Sequence, residues 1–347
     1  PGAKLGTIEN EARKVGYELR CYPSTWVKAS IGGFVGGGSG GIGSITYGGI
    51  RDADNVKSLT LLTVEAEPKL IRLEECDTIK AQHTYGTTGI MVELEMRLGV
   101  KRSWDQLAFS STSFDALLDF TANVATDDQI PKRLVTLHEW PIPSYFKPLK
   151  KWLPADQHVT FLEIESGAAS DAVTAKAAAA GISMCHFIPA HEPRRSPMLS
   201  DYTWNHTTLW AIKQDPTLTY LQSGFGENYR EKFKLLRAKF PDEIYFHLEF
   251  VKGNAKMGER FSAAGCGGIP IVRFKGAKRL QELIDYCTEI GVFTANPHTY
   301  FLEEGGRHPE IASKRALKAE ADPRALLNPG KMKTYPINPF AKEPASV

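Results

Sequence analysis

A glycine-rich stretch at residues 31–47, with the sequence IGGFVGGGSGGIGSITY, constrains the fold more than any other feature of the chain. Glycine has no Cβ, so such a stretch can adopt positive φ angles and let a ligand lie directly against the backbone. Exposed N–H groups in loops of this kind form concavities that bind anions, phosphate above all. A flexible Gly/Ser linker is the alternative, but Phe34, Ile42 and Ile45 interrupt the run. We therefore predict a shaped loop that is fixed to a core and binds a phosphate-containing ligand.

The composition is that of an ordinary globular protein. The chain has 347 residues, of which 42% are hydrophobic, a length that favours two domains. Its 42 basic and 40 acidic residues give a net charge of +2, which gives no reason to predict nucleic-acid binding. No apolar run approaches the roughly 18 residues that cross a bilayer, and no signal peptide is recognisable. We therefore predict a cytoplasmic protein without a transmembrane segment. Because the sequence starts at Pro1 rather than at Met, we also expect a processed or partial chain.

The five cysteines are widely scattered, and none has CxxC spacing. This pattern predicts neither a zinc ribbon nor a dithiol redox motif, and it suits a reducing compartment. We predict that each cysteine is a small buried apolar residue. They are Cys21, Cys76, Cys185, Cys266 and Cys287.

Apolar spacing predicts the elements of the N-terminal part. Residues 5–15 have apolar side chains at helical spacing, and Gly16 follows as a stop. Residues 60–64 and 70–73 are predicted to be paired strands with a turn at Glu67 and Pro68. Residues 90–98 alternate apolar and polar side chains, which predicts a half-buried strand. Residues 1–100 are thus expected to form one α+β unit.

From about Trp104 onwards, the sequence pattern changes to alternating strands and helices. We predict helices at 114–124, 168–180, 227–240 and 277–290, and strands at 134–137, 159–164, 182–188, 218–222, 243–251 and 269–274. This alternation predicts a ferredoxin-like α+β sheet with helices on one face. The sequence shows no strong repeat. Towards the C-terminus we predict a helix at 310–320, a structured turn at 322–331 and a flexible end beyond Tyr335.

Four segments resemble, in order, the FAD-binding domain of the vanillyl-alcohol oxidase and p-cresol methylhydroxylase (PCMH) superfamily. They are PGAKLG at 1–6, the glycine-rich stretch with the following Arg51, Asp52, Asn55 and Val56, YGTTGIM at 85–91 and DPRALLNPGKM at 322–332. Four landmarks spread over most of the chain are more specific than any one of them. The branch that the chain resembles most is the glycolate and D-lactate dehydrogenase-like FAD-linked oxidases.

The resemblance implies an FAD-dependent oxidoreductase with an α+β fold. Residues 1–103 would form the second subdomain of a PCMH-type FAD-binding domain, and 104–295 a ferredoxin-like α+β cap over the flavin. Residues 296–335 would return to the FAD domain, and 336–347 would be a flexible tail. The implied substrate is a small 2-hydroxy acid or a related alcohol. The electron acceptor could be oxygen, a quinone or a protein partner, and the resemblance does not decide among them. Assembly into a homo-oligomer also stays open.

Two family features have no counterpart in this sequence. One is the first FAD subdomain, which precedes the position of Pro1 in the family, and the other is a metal-site motif that reads roughly HxGDGNxH. Two alternatives therefore stay open: a cofactor-free binding or scaffold protein, and one piece of a split flavoenzyme. We predict no metal site; the nearest candidate is His247 with Glu249, which are alternate residues of a predicted strand and face the same side.

The residues implied to contact FAD lie in three segments. Gly89 and Ile90 would pack near the adenine end, with a tight turn before a strand as the alternative. Asn328 and Lys331 would contact the flavin, with capping of the last turn as the alternative. The glycine-rich segment contributes Ile31, Gly32, Gly33, Gly37, Gly38, Ser39, Gly41, Tyr47 and Gly48.

Three residues are predicted to act on the substrate. His298 is the candidate base, because histidine titrates near neutrality and can accept the hydroxyl proton. Tyr300 could orient the substrate oxygen, and Arg195 could bind a carboxylate through its planar fork. The alternatives are a turn histidine that bonds the backbone and a solvated surface loop. We interpret His83 and His138 as structural.

Overall fold

A computed structural model describes residues 1–52, 54–191, 193–195, 197–252, 264–306, 310–333 and 335. The tail predicted at 336–347 lies outside these residues. Among the described residues, no helix combines the length and apolar character that crossing a bilayer requires.

The N-terminal part combines short helices with small antiparallel sheets. Strand β2 is the centre of a sheet with the order β3-β2-β4, and β1 pairs with β5. Buried side chains that include Leu5, Val35 and Leu59 form its core. The elements are α1 (Leu5–Lys14), β1 (Tyr17–Leu19), α2 (Ile31–Gly37), α3 (Ser44–Tyr47), β2 (Val56–Leu62), β3 (Leu70–Glu74), a 3-10 helix (Glu75–Ala81), β4 (Ile90–Met96) and β5 (Leu98–Val100).

The predicted helix at 5–15 and the three predicted strands are present, although β2 begins earlier, at Val56. The expectation of loop structure throughout the glycine-rich stretch is wrong for its last four residues, which are α3, and for its first seven, which are α2. Ser30 caps this helix by accepting a hydrogen bond from the Gly33 amide at 3.3 Å, and Gly38 ends it in the left-handed conformation. Burial of Ile31, Phe34 and Val35 outweighs the low helix propensity of the glycines.

The middle of the chain, which we call the cap, forms an eight-stranded antiparallel sheet within the described residues. Its strand order is β16-β11-β14-β13-β7-β8-β6-β9. The elements are β6 (Trp104–Ser111), α4 (Phe114–Thr126), β7 (Lys132–His138), β8 (His158–Glu165), α5 (Ala168–Ala179), β9 (Ser183–Ile188), α6 (Asn205–Gln214), β10 (Leu218–Tyr220), β11 (Gln222–Gly224), α7 (Tyr229–Lys239), β12 (Ile244–Tyr245), β13 (His247–Lys252), β14 (Ala264–Gly268), β15 (Ile271–Arg273), α8 (Ala277–Glu289) and β16 (Phe293–Ala295).

The cap consists of two ferredoxin-like halves joined edge to edge. The first half runs β6-α4-β7-β8-α5-β9 and has the strand order β9-β6-β8-β7. The second runs β11-α7-β13-β14-α8-β16 and has the equivalent order β16-β11-β14-β13. The predicted ferredoxin-like α+β fold is confirmed, and the structure shows a duplication that the sequence does not. The halves meet at a seam, where residues 136–138 of β7 pair with 247–249 of β13.

Helices α4, α5, α7 and α8 share one core with the sheet, as predicted. Strand alternation separates the two faces: Leu107 and Phe109 belong to this core, whereas Ala108 belongs to a second core with Phe161. The second core is closed by α6 and by 3-10 helices at Ile142–Tyr145, Lys147–Leu149 and Leu199–Tyr202.

Two of the predicted strands are each two strands in the structure, and a third is shorter than predicted. Residues 218–222 and 243–251 bend at Leu221 and Phe246, and 269–274 contributes only β15. Strands β10, β12 and β15 form a small separate sheet with the order β10-β15-β12. Strands β6 and β14 were not predicted; β14 is glycine-rich (AGCGG) and has no apolar alternation that would indicate a strand.

The C-terminal helix α9 (Ile311–Ala321) lies against the N-terminal part. The Val64 amide donates to the Ala321 carbonyl (2.7 Å), and the Lys318 ammonium donates to the Thr87 carbonyl (3.0 Å). Lys314, which is fully buried, donates to the Gln82 carbonyl. The domain boundaries at 103 and 295 stay predictions.

The prediction that every cysteine is buried is wrong for two of the five. Cys76 is exposed, because it lies in the 3-10 helix at Glu75–Ala81 on the surface, and Cys185 is partly exposed on edge strand β9. Cys21, Cys266 and Cys287 are buried.

Candidate functional site

The first glycines of the stretch hold the chain's N-terminal residues. The amides of Ile31 and Gly32 donate to the carbonyls of Ala3 and Pro1 at 2.9 Å each. A Cβ on Gly32 would lie 2.7 Å from the Pro1 side chain. These contacts use backbone groups that the sequence assigned to the cofactor.

Residues 36–49, which we call the glycine turn, are shaped by contacts on their buried side. Gly41 is necessary because a side chain there would overlap the Tyr22 carbonyl, and Tyr22 forms a β-bridge with the next residue, Ile42. Gly37 accepts a hydrogen bond of 2.5 Å at its carbonyl from His83 Nδ1. His83 therefore has the structural contact that we expected.

The other side of the glycine turn is open. Cβ atoms added to Gly36 and Gly37 would meet nothing within 4 Å. The amides of Ser39 and Gly40 make no hydrogen bond to the part of the chain that the structure describes. Backbone N–H groups beside open space fit an anionic, phosphate-containing cofactor, which can approach glycine more closely than any other residue.

The glycine turn docks on the cap beside the seam. The Gly43 amide donates to the Arg133 carbonyl (2.8 Å), and Thr46 Oγ1 donates to the Lys132 carbonyl (2.5 Å). Helix α3, which contains Tyr47, contacts both β7 and β13. The turn thus bridges the N-terminal part and both halves of the cap.

An aspartate closes the end of the glycine turn. Asp52 Oδ2 accepts a hydrogen bond of 2.5 Å from the Gly49 amide and lies beside Gly48. Burial raises the pKa of Asp52 to about 6, against the opposing effects of that hydrogen bond and of Arg51. Asp52 belongs to a segment that carries the family resemblance, but the resemblance implies no role for it.

The C-terminal residues predicted to contact the flavin lie beside the 85–90 segment and Tyr300. Asn328 Nδ2 donates to the Tyr85 carbonyl at 2.5 Å. The Lys331 ammonium lies 3.4 Å from the centroid of the Tyr300 ring. Gly89 precedes β4, and Ile90, the first residue of that strand, is exposed.

His298 is exposed and is held against β10. Its Nε2 atom lies 2.9 Å from Thr219 Oγ1 and 3.1 Å from the Tyr220 carbonyl oxygen. A carbonyl oxygen only accepts, so Nε2 carries the proton, and Nδ1 of the neutral ring has the lone pair of a base. No described contact joins His298 to Arg195, and Tyr300 is linked to Lys331 instead.

Arg195 lies at the wall of a small cavity rich in arginine. Arg13, Arg133, Arg194 and His191 also line it. Arg133 donates to Glu163 (2.7 Å) and Arg13 to Glu18 (2.5 Å), while Arg194 lies 3.4 Å from Glu9. Burial alone would raise the pKa of Glu163, but Arg133 and Arg194 hold it below its usual value. Arg133 also lies 3.6 Å from Glu18 and so links β1 to β7 and β8, whereas Arg195 is exposed at the edge of the cavity.

His247 and Glu249 do face the same side, as predicted. His247 Nε2 lies 2.9 Å from Glu249 Oε1, and both side chains are buried. The His138 ring stacks on His247 at 4.8 Å, which suits the structural role expected of His138. Within the described ranges, no group of three or more His, Cys, Asp or Glu residues could hold a metal ion.

Comparison with known proteins identifies the cofactor and the fold. Residues 1–73 match the family described as FAD binding domain, and the cofactor is FAD. Two structures of alkyldihydroxyacetonephosphate synthase, in different crystal forms, are similar to the chain at 14% identity, with TM-scores of 0.62 and 0.60. The similarity covers 94% and 93% of this chain. The fold is the PCMH-type FAD-binding fold with an α+β cap.

The chain spans 62% of the length of those two structures. No curated protein sequence matches it. The contact of the Trp204 indole with the glycine turn and the buried pair Arg133–Glu163 were not predicted, because a lone tryptophan or ion pair has no spacing that would indicate its neighbours.

Proposed function

We propose that the protein is an FAD-dependent oxidoreductase that oxidises a small 2-hydroxy acid or a related alcohol. The observation that carries this proposal is the open face of the glycine turn, set on the seam of the cap within the segment matched as FAD binding domain. When bound, FAD supplies the oxidation by accepting a hydride from the substrate carbon. Likeness to the glycolate and D-lactate dehydrogenase-like oxidases belongs to this proposal and rests on the sequence resemblance.

The residues that would hold FAD lie on the glycine turn and its neighbours. Gly37, Gly38 and Ser39 are next to the open face, where the free amides of Ser39 and Gly40 can bind the diphosphate. Asn328, fixed to the 85–86 backbone, and Lys331 would close the site from the C-terminal side.

The substrate side would use Arg195, His298 and Tyr300. The exposed guanidinium of Arg195 can bind the substrate carboxylate, because the neighbouring arginines are already paired with glutamates. His298 would accept the hydroxyl proton at Nδ1, since Nε2 is held by Tyr220. Tyr300 would orient the substrate oxygen while the Lys331 ammonium holds its ring.

A titration with FAD tests the proposal. We expect purified protein to absorb between about 350 and 500 nm, or to do so after FAD is added, and to be bleached without oxygen by the correct hydroxy acid. Protein that stays colourless with FAD would favour the cofactor-free scaffold. Colour that returns only with a second chain would favour a split enzyme.

Gly37→Ala sharpens this test. The added methyl group has open space, so apo stability should equal or exceed that of the wild type, while FAD binding should weaken by about tenfold or more because the methyl group occupies the cofactor's place. Gly6→Ala is the matched control: Gly6 is also helical, in α1, and its new Cβ would make an ordinary contact with Trp26 at 3.4 Å. Equal FAD affinity in the Gly37 variant and the control would contradict the assignment of the open face.

A further inference from the structure

Trp204 has a backbone conformation that a bulky residue seldom adopts. It lies between the 3-10 helix at Leu199–Tyr202 and α6, with φ at 52° and ψ at −137°. A residue is held in such a conformation only when its surroundings fix it, and conformations of this kind occur often at functional sites.

The indole of Trp204 lies directly on the glycine turn. A Cβ on Gly40 would be 2.6 Å from Cη2 of the Trp204 ring, so only glycine permits this approach. The indole Nε1 atom is buried and has no hydrogen-bond partner in the described part of the chain. The contact with Gly40 is made by Cη2 and Cζ3 on the benzene edge of the ring, so the indole shapes the glycine turn by packing.

Glu249 holds the Trp204 backbone from the seam of the cap. Its Oε1 atom accepts a hydrogen bond of 2.7 Å from the Trp204 amide and another of 2.9 Å from His247 Nε2. Glu249 is 2% exposed and His247 is fully buried. His247 is fixed in turn by the stacked His138 ring and by Thr207 Oγ1 at 3.3 Å. The carboxylate therefore has little freedom to move away from Trp204.

We propose that Trp204 is a positioning residue of the FAD site, and that Glu249 and His247 clamp its indole against Gly40. The clamp fixes the shape of the glycine turn that the bound cofactor would contact. It connects the turn to the seam between the two halves of the cap. The role towards FAD rests on the proposed function, whereas the clamp itself can be measured in the apoprotein.

The first test compares Glu249→Gln with Glu139→Gln. Glu139 is also buried and accepts a backbone hydrogen bond, of 2.7 Å from the Phe246 amide, but it pairs with Arg237 rather than with Trp204. The fluorescence of Trp204 is the part of the emission that is lost in Trp204→Phe. We expect Glu249→Gln to make this fluorescence more accessible to quenching by acrylamide and to weaken FAD binding by about tenfold. Glu139→Gln should change neither. Identical quenching and affinity in the two variants would overturn the proposal.

The second test combines Gly40→Ala with Trp204→Ala and needs no glutamate substitution. If the indole lies on Gly40, the added methyl group lowers the unfolding temperature of the wild type more than that of the Trp204→Ala variant, where only the contact of 3.2 Å with Ser44 Oγ remains. Equal effects in both backgrounds would overturn the clamp. If the wild type binds no FAD while quenching and coupling behave as expected, the proposed function fails and the clamp stands.

Discussion

At the scale of single residues, Asp52 has the ionisation most closely tied to the site. Its carboxylate holds the Gly49 amide and touches Gly48, so it fixes the end of the glycine turn. Burial raises its pKa to about 6, from an ordinary value of 3.8. The folded state therefore holds a proton on Asp52 across a pH range in which the unfolded chain has released it.

We predict that Asp52→Asn becomes relatively more stable as the pH rises. Between pH 3.8 and 6 the folded wild type binds more protons than the unfolded chain. The contribution of Asp52 to stability is therefore fully present below pH 3.8, its pKa in the unfolded chain, and is lost as the pH approaches 6. The free energy of unfolding of the variant should gain about 2–3 kcal/mol on the wild type over this interval. Urea titrations at pH 4, 5, 6 and 7 measure the difference, with the exposed Asp128→Asn as control. A constant difference across this range would show that Asp52 has an ordinary pKa.

Single residues also mark where prediction from the sequence ends. Gly41 could be selected because it belongs to the glycine-rich pattern, although the reason it must be glycine, the Tyr22 carbonyl, comes from another segment of the chain. The role of Trp204 could not be predicted from the sequence, because it depends on contacts with Gly40 and Glu249, which are far away in the chain. His298 could be chosen as a base from its chemistry, but its free nitrogen depends on the Tyr220 carbonyl, which no spacing reveals.

At the scale of elements, helices α4, α5, α7 and α8 and the ferredoxin-like pattern of the cap were predictable, because apolar spacing and alanine content are local properties, whereas α6 was not predicted. Helix α2 was missed because its glycines oppose helix formation, and only the Ser30 cap and buried contacts outweigh them. The duplication was missed because two halves can share a topology with different side chains. The strands that bend at Leu221 and Phe246 were predicted as single strands, since a change of sheet alters partners without altering the apolar pattern.

The ion pairs between elements give a second prediction. Arg133 on β7 is 3% exposed, donates to Glu163 on β8 and lies 3.6 Å from Glu18 on β1. Arg133→Met would leave two buried carboxylates without this cation, and we expect it to lower the free energy of unfolding by about 3–5 kcal/mol. Replacing Glu163 by Leu in the same variant should restore part of the lost free energy of unfolding, because it removes one of the two buried carboxylates.

Arg102→Met is the control for this experiment, because the Arg102–Glu165 pair is largely exposed and should contribute less than about 1 kcal/mol. Urea denaturation of the four proteins, wild type included, measures each effect. A similar small loss for Arg133→Met and Arg102→Met would mean that water reaches the Arg133 network and that it does not join β1 to the cap.

At the scale of the whole molecule, the glycine turn connects parts that are distant in the chain. It bonds to β7, packs through α3 on β13 and receives Trp204 from the cap, while α9 ties the C-terminal region to the N-terminal part. These links predict that the described regions unfold together. A ligand bound at the turn should then stabilise all of them.

We therefore predict that FAD raises the midpoint of a single thermal transition. A ligand at a hundred times its dissociation constant stabilises the folded state by about 2.7 kcal/mol, which corresponds to a rise of several degrees for a chain of this size. The same shift should appear in far-ultraviolet circular dichroism, which reports on all helices, and in tryptophan emission. Riboflavin, which lacks the diphosphate, should give a much smaller shift, because the Ser39 and Gly40 amides would lose their anionic partner. Two separate transitions, only one of which responds to FAD, would show that the cofactor stabilises one part of the molecule without the other.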